Sequence, residues 1–189
     1  MGHLIFRSIY RLFCESDARL WSGFLGEMPT DIWSRLYTYW LRLAGAKIGE
    51  GSIVHHRVKV WYPENIEIGK GVKVPASTDM AGMGKISIGD YTLIGANVSF
   101  ITNNHPLEDK KANWQEILIG TQQSIRVGKF CWLMNDTKLV AGNTGLQVND
   151  FSWIAAGSVV TKDVPQAELW GGSPAKFIRK IHPRNEKIT

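Results

Sequence analysis

The sequence predicts a mainly β protein built as a solenoid of stacked coils. Aliphatic residues recur every six positions between Ile48 and Val160, and several are followed directly by glycine or alanine. If three six-residue strands form one triangular coil, the aliphatic side chain points into a narrow core and the small residue lets the chain turn a corner. Each coil buries its inward row only against its neighbours, so the coils must stack. The repeated positions are Ile48, Val54 and Val60; Ile68 and Val74; Ile88, Ile94 and Phe100; Val127, Leu133 and Leu139; and Val148, Ile154 and Val160.

Helical periodicity precedes the repeat. Thr30 and Asp31 provide helix-start chemistry, and apolar residues then recur at three- and four-residue intervals to about Ala44, after which Gly45 ends the helix. Apolar residues from Leu4 to Phe13 fit an earlier amphipathic helix, for which we favour packing against the protein or a partner subunit over contact with a membrane. We therefore predict an N-terminal helical segment over residues 1–45.

The spacing of the repeat also locates its interruptions. Ile68 and Ile88 lie twenty residues apart, which is three hexads and two extra residues, and Val127 follows Ile88 by thirty-nine, which is six hexads and three extra. The longer interval contains a polar stretch too long for a turn, so we predict a projecting loop over residues 102–122. Three more residues are inserted around 140–145. We predict that the β domain extends over residues 46–170.

Composition restricts the class of protein. The formal charge of +5 and the pI near 9.2 suit an anionic partner, which could be nucleic acid, an anionic membrane or a phosphate-bearing cofactor. Cys14 and Cys131 form no disulfide framework, and no Cys/His cluster has zinc spacing. Arg7 and Arg11 interrupt the first apolar run before it reaches the length of a signal peptide or a membrane span. We expect a cytoplasmic protein, with peripheral contact at the inner face of the membrane open to the N-terminal helix.

Three stretches follow one another in a distinctive order. They are residues 65–71, residues 88–98 leading to Asn104-His105-Pro106, and residues 154–165 followed by Gly171-Gly-Ser-Pro-Ala-Lys176. Over about residues 46–181 the chain resembles the left-handed parallel β-helix acyltransferases of the hexapeptide-repeat class. Within that class it is similar to the sugar and antibiotic O-acetyltransferases, which include the galactoside, maltose and streptogramin enzymes.

The resemblance implies several properties of the chain. It implies a left-handed parallel β-helix, acetyl-CoA as the acyl donor without a metal, and a homotrimer whose active sites lie between subunits. It also implies a helix after the solenoid, which Pro174 to Ile181 fits, so we predict a C-terminal helix and tail over residues 171–189. The expected reaction is transfer of an acetyl group to a hydroxyl of a sugar or surface-polysaccharide precursor.

His105 is the candidate catalytic residue. It heads the projecting loop beside Asn104, and the resemblance at this position implies a general base. Acyl transfer to an alcohol requires removal of the hydroxyl proton, a task that suits an imidazole because imidazoles titrate near neutral pH. Pro75 stands where counting hexads back from His105 places an asparagine of the galactoside-type enzymes, which implies a different acceptor.

The same resemblance implies the remaining site residues. The basic C-terminal residues would meet the phosphates of acetyl-CoA, and the backbone after Ile154 would meet its pantetheine arm. The expected cofactor-binding residues are Trp132, Ala156, Gly157, Lys162, Ser173, Lys176 and Arg179. The expected acceptor-binding residues are Ser77, Thr78, Asp79 and Asn104.

Other functions use the same features. N-acetylation of an amino sugar requires the same fold and donor, and the residues fit a hydroxyl and an amine equally well. A nonenzymatic β-helix scaffold suits the charge but leaves the His-Pro loop without a use. A β-helix carbonic anhydrase needs three convergent histidines, of which only His105 is well placed. Nucleic-acid binding is disfavoured because the basic residues are not interleaved with aromatic residues.

Overall fold

A computed structural model describes residues 30–80, 83–105 and 121–181. Helix α1 (Thr30–Leu43) confirms the second predicted helix and is followed by a reversal at Gly45. The predicted helix over Leu4 to Phe13 lies outside the described residues. Within the described ranges, no helix has the length and apolar character needed to cross a membrane.

Fifteen short strands form five coils of three. Coil 1 contains β1 (Lys47–Ile48), β2 (Ile53–Val54) and β3 (Lys59–Val60), and a short 3-10 turn (Pro63–Asn65) leads to the next coil. Coil 2 contains β4 (Ile66–Ile68), β5 (Lys73–Val74) and β6 (Asp79–Met80), and coil 3 contains β7 (Ile86–Ile88), β8 (Leu93–Ile94) and β9 (Ser99–Ile101). After β10 (Asn103–Asn104) and β11 (Thr121–Gln122), coil 4 contains β12 (Ile125–Val127), β13 (Trp132–Leu133) and β14 (Lys138–Val140). Coil 5 contains β15 (Leu146–Val148), β16 (Trp153–Ile154) and β17 (Val159–Val160), and β18 (Glu168–Gly172) and β19 (Ala175–Lys180) follow it.

Equivalent strands of successive coils pair in parallel and form three faces. Face A contains β1, β4, β7, β12 and β15; face B contains β2, β5, β8, β13, β16 and the terminal strands; face C contains β3, β6, β9, β14 and β17. We name each corner by the faces it joins: A–B, B–C and C–A. This architecture confirms the predicted left-handed parallel β-helix.

The core is a column inside the three faces. Each predicted hexad residue is buried except Ile48, which is partly buried at the end of the column, and Met80 fills the position six residues after Val74. The two extra residues per twenty-residue coil fall at the C–A corner, as between Met80 and Ile88. The insertion predicted around 140–145 also lies at this corner, between β14 and β15.

Small residues are required by the approach of neighbouring coils. A Cβ at Gly89 would lie 2.6 Å from the carbonyl oxygen of Gly128 in the next coil, closer than real Cβ contacts. The left-handed turn itself falls two residues later, at Tyr91 and Phe130 with φ of 56° and 54°. The aromatic rings at this A–B corner stack on one another, with centroids 5.5 Å apart for Tyr91 and Phe130 and 5.3 Å for Phe130 and Phe151.

The predicted C-terminal helix is wrong. Strand β18 extends face B by pairing in parallel with β16, and β19 returns antiparallel to β18. Glu168 joins the two strands: its carboxylate accepts hydrogen bonds from Trp170 Nε1 at 2.7 Å and from Lys180 Nζ at 2.6 Å. The apolar residues Phe177 and Ile178 therefore belong to β19, the edge strand of face B, which forms a hairpin with β18. The predicted boundary at residue 170 falls inside β18.

Candidate active site

The loop that carries His105 leaves coil 3 at the C–A corner. Strands β10 and β11 pair antiparallel, with Asn103 opposite Gln122 and Asn104 opposite Thr121, and form a neck for the predicted loop. His105 follows β10 directly and is exposed. The neck therefore fixes the backbone beside the imidazole, which stays accessible to a substrate.

Hydrogen bonds from two coils hold this neck in place. Thr102 is fully buried, its hydroxyl accepts a bond from Gly84 N at 3.0 Å, and its carbonyl accepts one from Gln123 N at 2.7 Å. Gly84 packs so tightly on Gln123 that a Cβ would collide with the carbonyl oxygen of Gln123. Residues at the same corner of coil 2 therefore position the loop of coil 3. Sequence reasoning missed Gly84 and Thr102, because the contacts join residues on separate coils.

The other described histidines are poor candidates for a base. His55 and His56 stack with ring centroids 4.3 Å apart at the B–C corner of coil 1. Burial, followed by the nearby His55 and Arg57, lowers the pKa of His56 to about 4. Burial and Arg57 also lower the pKa of His55. A base of such low proton affinity removes a hydroxyl proton inefficiently near neutral pH.

Residues expected to bind acceptor and donor lie along the B–C corner, on different coils. Ser77 Oγ of coil 2 accepts a hydrogen bond from Asn97 N at 2.8 Å, and Asn97 Nδ2 donates to Asp136 Oδ1 at 3.0 Å. Ala156 and Gly157 are exposed at this corner of coil 5. No side chain or backbone lies within 4 Å of a Cβ built on Gly157, so a ligand can approach the chain there.

Two backbone amides after Ile154 already have partners. Ala155 N donates to the carbonyl of Trp170 at 2.8 Å, and Gly157 N donates to the carbonyl of Asn135 at 2.9 Å. These bonds fix the turn that contains Ala156. The N–H of Ala156, which lies between them, is a candidate to polarise a thioester carbonyl.

An apolar strip runs along the outer surface of face B. Leu93, Trp132 and Trp153 lie in register on neighbouring strands, and the rings of the two tryptophans meet edge to face at 5.6 Å. Leu93 is 62% exposed and Trp132 is 38% exposed. Apolar side chains left open in this way mark a surface that a ligand or a partner covers.

The predicted acceptor residues differ in their access to solvent. Ser77 is exposed, and Asp79 is half-buried on face C, in register with Lys59 and Ser99. Thr78 is 1% exposed inside the solenoid, so its side chain offers no contact to an acceptor. The backbone of Asn104 lies in the neck beside His105.

One chain leaves most of the expected donor-binding residues away from the corner that carries the base. His105 and Lys162 lie at the C–A corner, whereas Ala156 and Gly157 lie at the B–C corner and Trp132 lies on face B. The remaining donor-binding residues lie on or beside the terminal hairpin of β18 and β19: Ser173, Lys176 and Arg179. Among the described residues, no group of three His, Cys, Asp or Glu side chains is placed to hold a metal ion.

Known acetyltransferases are similar to this chain in sequence and in fold. The chain is 30% identical over 141 residues to the galactoside O-acetyltransferase of Escherichia coli K12, an alignment that covers 75% of this chain and 66% of that enzyme. It is 29% identical over 146 residues to the putative colanic acid biosynthesis acetyltransferase WcaF of the same organism, covering 77% of this chain and 75% of that protein. A galactoside acetyltransferase solved in complex with coenzyme A superimposes on the chain with a TM-score of 0.73. The two are 23% identical, and the match covers 97% of this chain and 82% of the other. No protein-family model matches the chain.

These likenesses establish the class. The chain belongs to the hexapeptide-repeat acyltransferases with a left-handed parallel β-helix, as its sequence predicted. Its relatives by sequence include a galactoside O-acetyltransferase and a putative colanic acid biosynthesis acetyltransferase.

Proposed function

We propose that this chain transfers an acetyl group from acetyl-CoA to a hydroxyl of a sugar or surface-polysaccharide precursor, with His105 as the general base. The observation that carries the proposal is an exposed histidine that directly follows a neck anchored by the buried Thr102, in a fold shared with a galactoside acetyltransferase solved with coenzyme A. The reaction is placed in the cytoplasm, where acetyl-CoA is available.

The imidazole of His105 performs the proton transfers. It accepts the proton of the acceptor hydroxyl as the oxygen attacks the thioester carbonyl, and a tetrahedral intermediate forms. The N–H of Ala156 stabilises the negative charge on the carbonyl oxygen. When the intermediate collapses, the C–S bond breaks and the imidazolium returns its proton to the sulfur of coenzyme A.

A homotrimer completes the site. The base lies at a different corner from Ala156 and Gly157, so we expect a neighbouring copy to bring its B–C corner or face B toward the His105 loop. The apolar strip of Leu93, Trp132 and Trp153 supports this assembly because contact between subunits would remove it from water.

The donor binds along the upper coils. The exposed turn at Ala156 and Gly157 meets the pantetheine arm, with Trp132 beside it and Ser173 at the hairpin turn. Lys162, Lys176 and Arg179 are exposed cations that meet the phosphates. Lys180 is unsuited to this task because Glu168 already binds its ammonium.

The acceptor binds lower, near the coil that carries the loop. Ser77 and Asp79 of coil 2 and Asn104 of the neck offer polar contacts to a carbohydrate. Pro75 provides no side-chain donor where the resemblance implies an asparagine, which supports a different acceptor from a simple galactoside.

The test is release of free coenzyme A thiol with acetyl-CoA and a panel of sugars, amino sugars and oligosaccharides. His105→Ala should lower kcat on the best acceptor by about 10²- to 10⁴-fold, the usual contribution of a general base, and should keep coenzyme A binding. His55→Gln is the matched control, since His55 lies at another corner of another coil. Full activity in His105→Ala contradicts the proposal, and transfer to amino sugars alone replaces the hydroxyl acceptor with an amine.

A further inference from the structure

Helix α1 packs on coil 1 with its more polar side. Its four buried side chains are Ser34, Tyr37, Thr38 and Leu41, of which three carry hydroxyl groups. Tyr37 Oη donates to the carbonyl of Val58 at 3.0 Å, and the hydroxyl of Thr38 accepts a bond from Val54 N at 2.9 Å. The helix therefore closes the end of the solenoid with hydrogen bonds.

The opposite side of α1 is aromatic and aliphatic. Five large side chains on it are at least 41% exposed: Ile32, Leu36, Tyr39, Trp40 and Leu43. At about 100° per residue they occupy one arc of roughly 100°, the width of the stripe that an amphipathic helix normally buries. We call this arc the α1 apolar face. It is the reverse of the orientation expected for a helix whose main partner is its own core.

Cations border the α1 apolar face. Arg35 and Arg42 follow one another along a single edge of the arc, and both are exposed. Arg42 is held in place, because its guanidinium donates to the carbonyls of Ile48 and Gly49 at 3.1 Å each. Coil 1, on which α1 lies, also carries the exposed cations Arg57 and Lys59 and the exposed acid Glu50. The same coil carries Trp61, which is 56% exposed.

We propose that the α1 apolar face docks the protein on the surface of an anionic lipid bilayer. Tryptophan and tyrosine rings favour the boundary between headgroups and acyl chains, where Tyr39 and Trp40 would lie beside Leu36 and Leu43. Arginines at the rim of the face would meet anionic headgroups. No membrane span is required for this binding.

Charge argues against the other occupants. A second copy packed antiparallel through the same face would bring Arg35 and Arg42 close to the same two arginines of its partner. The predicted helix at residues 4–13 carries Arg7 and Arg11 and no acidic residue, so it also lacks charges that complement the rim. A bilayer containing anionic lipid satisfies the apolar face and the rim together. The proposal does not depend on the acetyl transfer reaction.

The test is co-sedimentation of the full chain with two kinds of vesicle, phosphatidylcholine alone and phosphatidylcholine mixed with phosphatidylglycerol. We expect binding to the mixed vesicles that weakens as salt is added. The double variant Leu36→Gln/Trp40→Gln should bind at least about tenfold more weakly, because two apolar side chains leave the contact. Both side chains lie outside the core cluster that fills the solenoid, so the variant should still fold, which a melting curve checks.

A matched control comes from the other end of the solenoid. Phe177 and Ile178 are 50% and 53% exposed on β19, and Phe177→Gln/Ile178→Gln should leave vesicle binding unchanged. The proposal is overturned if the parent chain binds neither kind of vesicle, or if both double variants lose binding equally. It is also overturned if Leu36→Gln/Trp40→Gln reduces the number of chains per assembly in light scattering, which would assign the face to a second copy.

Discussion

The A–B and C–A corners belong to the same coils but differ in regularity. At the A–B corner, four residues separate the strands in all five coils, as between β7 and β8. At the C–A corner, five residues separate β6 from β7, whereas 23 separate β9 from β12 and include the neck and the His105 loop. The A–B turn is confined by the coils above and below it, while the C–A corner allows the chain to leave and return. A repeat protein can thus keep one corner for stacking and another for chemistry.

Alanine at one glycine of each corner should give the largest contrast. In Gly89→Ala the new Cβ would lie 2.6 Å from the Gly128 carbonyl oxygen, and relief requires two strands of face A to separate. We expect the free energy of unfolding to fall by about 2 to 3 kcal/mol. Gly142→Ala at the C–A corner is the control, because no atom lies within 4 Å of a Cβ there. Urea titration measures both, and equal stability of the two variants would contradict the steric account of the A–B corner.

Removing one hydroxyl at each corner should separate stability from activity. Thr92 and Thr102 are fully buried, and each accepts a backbone hydrogen bond, from Cys131 N at 3.2 Å and from Gly84 N at 3.0 Å. Each change to valine leaves a buried N–H without its acceptor, which should lower the free energy of unfolding by about 1 to 2 kcal/mol. Thr102→Val should also lower kcat by about tenfold, because a shift of the neck displaces His105. Thermal melts and the thiol assay measure the pair, and equal kcat in both variants would disconnect the neck from catalysis.

The smallest effect concerns the charge at the A–B corner. Asp90 accepts a hydrogen bond from Lys70 N at 2.8 Å and pairs with Lys129 Nζ at 3.0 Å, and these contacts hold the pKa of Asp90 below its ordinary value of 3.8. A carboxylate with a lowered pKa stabilises the fold above pH 3.8 and loses that contribution as the pH falls through its folded-state pKa. The melting temperature of the parent chain should exceed that of Asp90→Asn near neutral pH, and the difference should shrink in acid. If the difference in melting temperature between the two chains stays constant as the pH falls, the ionised carboxylate is not what stabilises the corner.

The fold was predictable because its main constraint repeats. Hexad spacing identified the inward column, and departures from it located the insertion near residues 140–145 and the neck of the predicted loop, whose residues 106–120 lie outside the described residues. The C-terminal helix failed because Phe177, Ile178 and Ile181 have a spacing compatible with a helix. Pairing of β19 with β18, reinforced by Glu168, overrides that local pattern.

The candidate site was less accessible to sequence reasoning. His105 was identified through the resemblance, and the structure adds its neck and its exposure. Gly84 lies 18 residues before Thr102, so their hydrogen bond has no local sequence signature. Thr78 was chosen because it is polar and near Pro75. The alternation of side chains turns Thr78 into the solenoid and the next residue, Asp79, toward its outer surface. Assignment of Trp132, Ala156, Gly157, Lys162, Ser173, Lys176 and Arg179 to the donor stays a prediction.

The number of coils determines the distance between α1 and the His105 loop along the solenoid. Neighbouring parallel strands lie about 4.8 Å apart, so the loop that leaves coil 3 stands two spacings, roughly 10 Å, from the coil that α1 covers. Deleting one twenty-residue coil between α1 and residue 86 would bring His105 closer to α1 by one strand spacing, about 4.8 Å. The direction of each corner would stay unchanged. The reach of the histidine from the α1 end is therefore set in whole coils, and a family with this fold can change it only in such steps.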